Sequence, residues 1–192
     1  MTEKTLGYCL CGSFCTFSKT IPQIQELVSR GYKILPIMSE NAYSTDTRFG
    51  KAEEFVSQIE GITGNKVIHT IDGAEPVGPQ KLCDLMVVAP CTGNTLAKLA
   101  NGVTDTCVTM AVKSHLRIKR PVLLCPATND GLGASAQNIG KLMNTKNIYF
   151  VPFSQDDPQN KPNSLVADFT AIPKAVRYAL DGLQVQPVLT GK

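Results

Sequence analysis

Tryptophan is absent, and aromatic residues make up only 6% of the 192-residue chain. Few flat rings are therefore available as stacking platforms for nucleic-acid bases. Charge is also scarce, at 18% of residues against a usual share of about 25%. That argues against disorder. The 19 basic and 16 acidic side chains leave a net charge of +3, and the basic ones are scattered. Dedicated nucleic-acid binding needs a basic stripe, so the chain is expected to have no nucleic-acid partner. No run approaches the roughly 20 apolar residues of a membrane span; the longest are Leu85–Ala89 and Val122–Cys125. The opening MTEKTLGYCLCGSF lacks the apolar centre of a secretory leader. Seven cysteines include no C-x-x-C pair. They read as reduced, mostly buried thiols of a cytoplasmic protein with no membrane contact. Cys9, Cys11 and Cys15 raise a metal cluster as one reading. On a strand, however, Cys9 and Cys11 share one face, and small core residues are the favoured reading, so no metal is expected.

Apolar residues reach 43%, enough for a full core in a chain of this length. Short apolar runs alternate with amphipathic stretches. Strands are expected at Thr5–Cys11, Lys33–Met38, Val67–Ile68, Leu85–Ala89, Val122–Cys125 and Ile148–Val151. Pro36 weakens the second of these as an interior strand. Helices are expected at Ser18–Ser29, Ala52–Ile59, Asn94–Leu99, Thr106–Leu116, Ala134–Met143 and Ala171–Leu183. Alternation of this kind predicts βαβ units and a three-layer α/β/α, Rossmann-like open parallel sheet. The whole chain, 1–192, is read as one domain: a core over about 5–153, a polar loop over 154–164, a closing helix and a frayed C-terminus.

Ligands of open parallel sheets bind beyond the carboxyl ends of the strands. Four turns lie there. Gly12 and Ser13 open the first, where glycine admits close backbone approach and a helix start favours a phosphate. The alternative is that Ser13, Thr16 or Ser18 merely caps the helix. The dinucleotide fingerprint G-x-G-x-x-G is missing, because Gly7 and Gly12 are too far apart. In the second turn, either Glu40 bonds a ribose or Ser39 holds a phosphate oxygen with Asn41 assisting; a plain polar loop is the third option. The third turn, Pro90–Thr95, is denser in small polar side chains than capping by Asn94 or Thr95 needs. The fourth, Pro126–Gly133, sets Asn129 in a glycine-rich segment suited to folding over a ligand. An Asx-turn is the bland account of Asn129.

LMVVAPCTGNTLAK (Leu85–Lys98) resembles the PASANT-type motif of the FMN-binding flavoproteins related to cysteine-peptide decarboxylases. CPATN (Cys125–Asn129) resembles that family's PxMN motif, and CGSF stands where its phosphate-binding turn belongs. The likeness runs from about Thr5 to Phe153. It implies a flavoprotein fold and FMN as cofactor, with Gly12, Ser13 and Ser39 on the phosphate. Thr92, Asn94 and Thr95 would lie along the isoalloxazine or ribityl chain, and Asn129 would be catalytic on the substrate side. ENAYSTDTRFG (Glu40–Gly50), AEPVGP (Ala74–Pro79) and APCTGNTLAKLANGVTDTCVTMAVKSHLR (Ala89–Arg117) are closest to a branch of two-subunit oxidoreductases. That branch implies a dehydrogenase-like partner carrying NAD(P), a small dicarboxylate substrate, and a homo-oligomer that is a trimer or a multiple of one. Arg48 and Lys113 are candidates for the substrate carboxylates on charge alone.

The family's methionines around the asparagine are Thr128 and Leu132 here. Decarboxylating members carry a histidine at the head of the helix before the PASANT strand. The candidate here is His69, 21 residues before Pro90, a longer spacing than the family's, and a surface histidine is the favoured reading. His115, beside Arg117, is read as solvated or as a helix-end cation. Three functions stay open: a redox subunit completed by a partner chain, a stand-alone FMN-dependent decarboxylase, and a cofactor-free scaffold of the same fold.

Overall fold

The computed structural model describes residues 4–191. Strands β1 (Thr5–Leu10), β2 (Lys33–Met38), β3 (Leu85–Cys91) and β4 (Val122–Thr128) form its parallel centre in the order β2-β1-β3-β4. Their near-continuous apolar sequences follow from burial on both faces. All of β3 is buried, as is β4 up to Ala127. Beyond β4 the sheet divides. The short β5 (Ile148–Phe150) runs parallel to the first half of β4, and β7 (Leu165–Ala167) runs antiparallel to its last two residues. The two-residue β6 (Phe153–Ser154) then pairs antiparallel with β7. The sheet is thus parallel at its centre with an antiparallel margin. The segment between β6 and β7 is the predicted polar loop.

Pro36 sits inside β2 without disturbing its pairing to β1. The N–H of Lys33 points toward β1, reaching Lys4 O, whereas that of Met38 points outward to Ile68 O at 2.9 Å. Alternation puts the missing N–H of Pro36 on the outer side as well. Pairing there shrinks to a single bridge, Ile37 with Ile68, and this is all that forms of the expected strand Val67–Ile68.

Helices α1 (Phe17–Ser29), α3 (Ala52–Thr63) and α8 (Ile172–Leu180) form one group, with α1 packed on both others. The other group comprises α4 (Ile71–Ala74), α5 (Gly93–Asn101), α6 (Cys107–Arg117) and α7 (Ser135–Met143). There α6 packs against α4, and α5 against α6 and α7. In α1 the buried stripe is Phe17, Thr20, Ile21, Ile24 and Leu27. α3 runs past its expected end to Gly64, whose φ of 67° suits glycine and closes the helix. The five-residue α2 (Glu40–Ser44) and the four-residue α4 were not expected from the sequence.

The C-terminus is not frayed over its described part. The Gln184 amide accepts from Phe150 N at 2.8 Å and donates to Phe150 O at 2.7 Å, as a neighbouring strand would. Farther on, Phe153 N donates to Val188 O and Thr190 N to Phe153 O. The tail so becomes a last partial strand beside β6.

Six cysteines, Cys9 and Cys11 among them, are buried, and Cys15 is exposed. Desolvation pushes the Cys9 thiol well above its ordinary value and the Cys11 thiol to about 11, so both remain protonated. His115 departs from its expected place in solvent: it is fully buried, with Nε2 3.1 Å from Pro121 O. A carbonyl can only accept, so Nε2 carries the proton. Nδ1 is buried without a hydrogen-bond partner among the described residues. Burial lowers the pKa to about 4, and a neutral imidazole cannot serve as a helix-end cation.

Candidate functional site

The turns after β2, β1, β3 and β4 are linked side by side along the carboxyl edge of the sheet. A methyl group placed on Gly12 would lie 3.9 Å from the Asn41 Cβ, joining the turns after β1 and β2. Cys11 N donates to Pro90 O at 3.3 Å, and Thr95 Oγ1 donates to Cys11 Sγ at 3.3 Å, joining β1 to β3. Gly93 presses on the turn after β4, where a methyl group would stand 2.6 Å from Thr128 Oγ1 and 2.9 Å from Asp130 Oδ1. Packing alone therefore requires glycine at position 93. Position 12 differs, because a methyl group there meets nothing nearer than Phe14 at 3.6 Å.

Within this row the predicted residues separate by what their side chains already do. Ser39 accepts from Ala42 N at 3.3 Å and caps α2. Glu40 accepts from Cys107 N at 3.1 Å, so its carboxylate serves the start of α6. Ser13 gives its carbonyl to Thr16, while its hydroxyl caps nothing and lies 3.9 Å from Cys15 Sγ. The cap of α5 is Thr92, not Asn94 or Thr95: its Oγ1 accepts from Thr95 N at 3.3 Å. Thr95 is buried and held by Thr92 and Cys11. The hydroxyls of Thr92 and Thr95 are thus engaged within the protein.

Asn94 and Asn129 come together. Both line a cleft of about 410 Å³ with Gly93, Thr128, Ser135 and Asn138. Asn94 and Asn129 are exposed to it, and neither side chain makes a hydrogen bond to the described residues, so Asn129 is not an Asx-turn residue. The turn bonds belong to its neighbour. Asp130 Oδ1 accepts from Thr128 Oγ1 and, at 2.8 Å, from Ser135 Oγ. These two hydroxyls hold the Asp130 carboxyl below the usual carboxylate range. Sequence reading missed Asp130, Ser135 and Asn138; the available signal was the departure at Thr128, which supplies one of the hydroxyls.

The charged candidates lie elsewhere. Arg48 stands over the Phe49 ring at 4.9 Å, and Lys113 lines an apolar groove with Leu99, Val112 and Leu142. His69 is half-buried and meets Tyr43 edge to face, with ring centroids 3.7 Å apart. It precedes Thr70, the cap of α4, and so stands at the head of the helical segment before β3.

Among the described residues, no helix is long and apolar enough to cross a membrane. The family described as Flavoprotein matches residues 1–175. The chain is 48% identical over 186 residues to the B subunit of dipicolinate synthase of Bacillus subtilis, covering 97% of this chain and 93% of that one. The crystal structure of the B subunit of dipicolinate synthase from Bacillus halodurans superposes with a TM-score of 0.90 at 46% identity, over 98% of this chain and 97% of that one. The FMN-dependent cysteine decarboxylase SpaF superposes with a TM-score of 0.64 at 22% identity, over 93% and 97%, a likeness of fold alone.

Proposed function

The chain belongs to the Flavoprotein family, and from that premise we propose that it acts as the B subunit of a dipicolinate synthase. With a dehydrogenase-like A subunit carrying NAD(P), it would oxidise dihydrodipicolinate to dipicolinate in the cytoplasm of a sporulating cell. The oxidation removes two electrons and two protons; the nicotinamide takes a hydride, and the second proton leaves to a base or to water. The observation that carries this reading is the likeness to such a B subunit over 97% of the chain at 48% identity.

The residues present suit FMN. Glycine at position 12 is not demanded by the protein's own packing, which supports reading it as room for the close approach of a ligand. Gly12, Ser13 and Ser39 would hold the phosphate, the Ser13 hydroxyl capping no helix and having only a long contact to Cys15 Sγ at 3.9 Å. Thr92, Asn94 and Thr95 would border the ring system or ribityl chain, and Asn129 would face the substrate. A bound flavin supplies reversible hydride chemistry. The protein's share is orientation. Asn94 and Asn129 offer neutral amides to the two carboxylates of the substrate, and among the described residues no lysine or arginine lines their cleft.

Two measurements test this. Titration of the purified chain with FMN should quench flavin fluorescence and end at one flavin per chain. Dipicolinate formation by the A subunit with NAD(P) should require added chain, and the chain alone with NAD(P) should be inactive. Equal rates from the A subunit with and without the chain would overturn the assignment.

A further inference from the structure

Asn129 has locked neighbours on both sides. Thr128 ends β4 and is paired in register with Leu165 of β7. Asp130 accepts at Oδ1 from the hydroxyls of Thr128 and Ser135, and its N–H lies 3.4 Å from Thr128 Oγ1. The Asp130 carbonyl accepts from Gly133 N at 2.9 Å and from Ser135 N at 3.2 Å, closing the loop into α7. On the third side, Gly93 at the head of α5 leaves no room for a methyl group against Thr128, Asp130 and Ser135. One carboxylate oxygen therefore ties β4 to α7, with the head of α5 packed against it, directly beside the Asn129 side chain, which makes no hydrogen bond to the described residues.

We propose that Asp130 is a positioning residue, holding Thr128 and Ser135 so that Asn129 and Asn94 face each other across the cleft. The proposal rests on the reading of Asn129 as the substrate-side residue. It also gives a reason for the threonine that stands where the family has methionine, since methionine has no hydroxyl to donate to Asp130. Both hydroxyls converge on Oδ1, so an asparagine at 130 can keep the arrangement with its amide oxygen, whereas alanine cannot. The hydroxyls also keep Asp130 ionised down to unusually low pH, so the arrangement should not vary across the neutral range.

The test compares Asp130→Ala, Asp130→Asn and Thr128→Val in the full-length chain. The first readout needs no ligand: the side-chain amide pair of Asn129 in nitrogen-15 correlation spectra. D130A should displace and broaden it, D130N should restore it, and T128V should displace it in the same direction by less. The second readout is FMN affinity, expected to weaken by roughly 10- to 100-fold in D130A and by no more than about 3-fold in D130N. An unmoved Asn129 signal in D130A overturns the proposal, as does a D130N spectrum as disturbed as that of D130A. If D130A fails to fold, an unmoved signal in T128V overturns it equally. If the wild-type chain binds no FMN while the spectra behave as expected, the functional reading falls and the positioning role stands.

Discussion

Lowering the pH from 7 to 5 should destabilise the chain through His115. The imidazole is fully buried, and desolvation brings its pKa from 6.5 to about 4. The Arg120 charge also disfavours the proton, while Asp84 and the Pro121 carbonyl oppose these effects in part. Between those two values the unfolded chain binds a proton that the native one refuses, so stability falls as pH falls. Above 6.5 neither state is protonated and nothing is lost. The full loss, reached near pH 4, is about 3 kcal/mol, since a tenfold change in proton affinity is worth about 1.4 kcal/mol. At pH 5 about 2 kcal/mol of it should be gone, a sizeable share of an ordinary domain's stability. The carboxylates of Asp84, Asp130 and Asp156 are held below 3.8, so whatever stability they lend is lost only in stronger acid. Urea unfolding at pH 7, 6 and 5 measures the effect, with His115→Gln as the control. Glutamine can still donate to Pro121 O but does not titrate. The variant should have lost some packing at every pH and most of the slope. Equal slopes in the two proteins between pH 7 and 5 would refute the reasoning.

Gly78→Ala should be the most disruptive of the small glycine changes, because its new carbon would lie 2.0 Å from the Ser114 carbonyl oxygen. A loss of about 3 kcal/mol or more, or failure to accumulate in soluble form, is expected in thermal and expression assays. Gly12→Ala should leave stability within about 0.5 kcal/mol of wild type, since only ordinary van der Waals contacts await it; Gly12→Val should abolish flavin quenching in the same fluorescence titration. Asn129→Ala should leave the melting temperature nearly unchanged, because its side chain is exposed and makes no hydrogen bond to the described residues. It should reduce turnover of the two-subunit enzyme by roughly 10- to 100-fold, about 1.4 to 2.7 kcal/mol of transition-state binding. Wild-type kinetics in that variant would end the assignment of Asn129.

The parallel centre of the sheet was legible because strands buried on both faces must be apolar throughout, as LMVVA and VLLC are. The turns at their carboxyl ends were legible with them. What escaped depends on neighbours distant in sequence. The four- and five-residue helices α4 and α2 are too short for periodicity to register, and they persist through their caps, Thr70 and Ser39. His115 lies among polar and basic residues in sequence, and it is buried because the start of β4 folds over it at Pro121. The cap of α5, read at Asn94 or Thr95, falls two or three positions earlier at Thr92, and the turn bonds considered as the bland account of Asn129 fall one position later at Asp130. A run of small polar residues announces that a cap or a turn exists; the backbone angles decide which member supplies it.

The tail stitched beside β6 bears on how this chain is handled. A short strand with one side unpaired presents N–H and C=O groups that any passing extended segment can satisfy. Here residues made after the whole of the sheet, around Val188 and Thr190, cover the Phe153 groups on that side. The molecule thus supplies its own guard against edge-to-edge association. That guard arrives only once every strand it protects has been translated, and it is the first thing a stop codon shortly before Gln184 would remove.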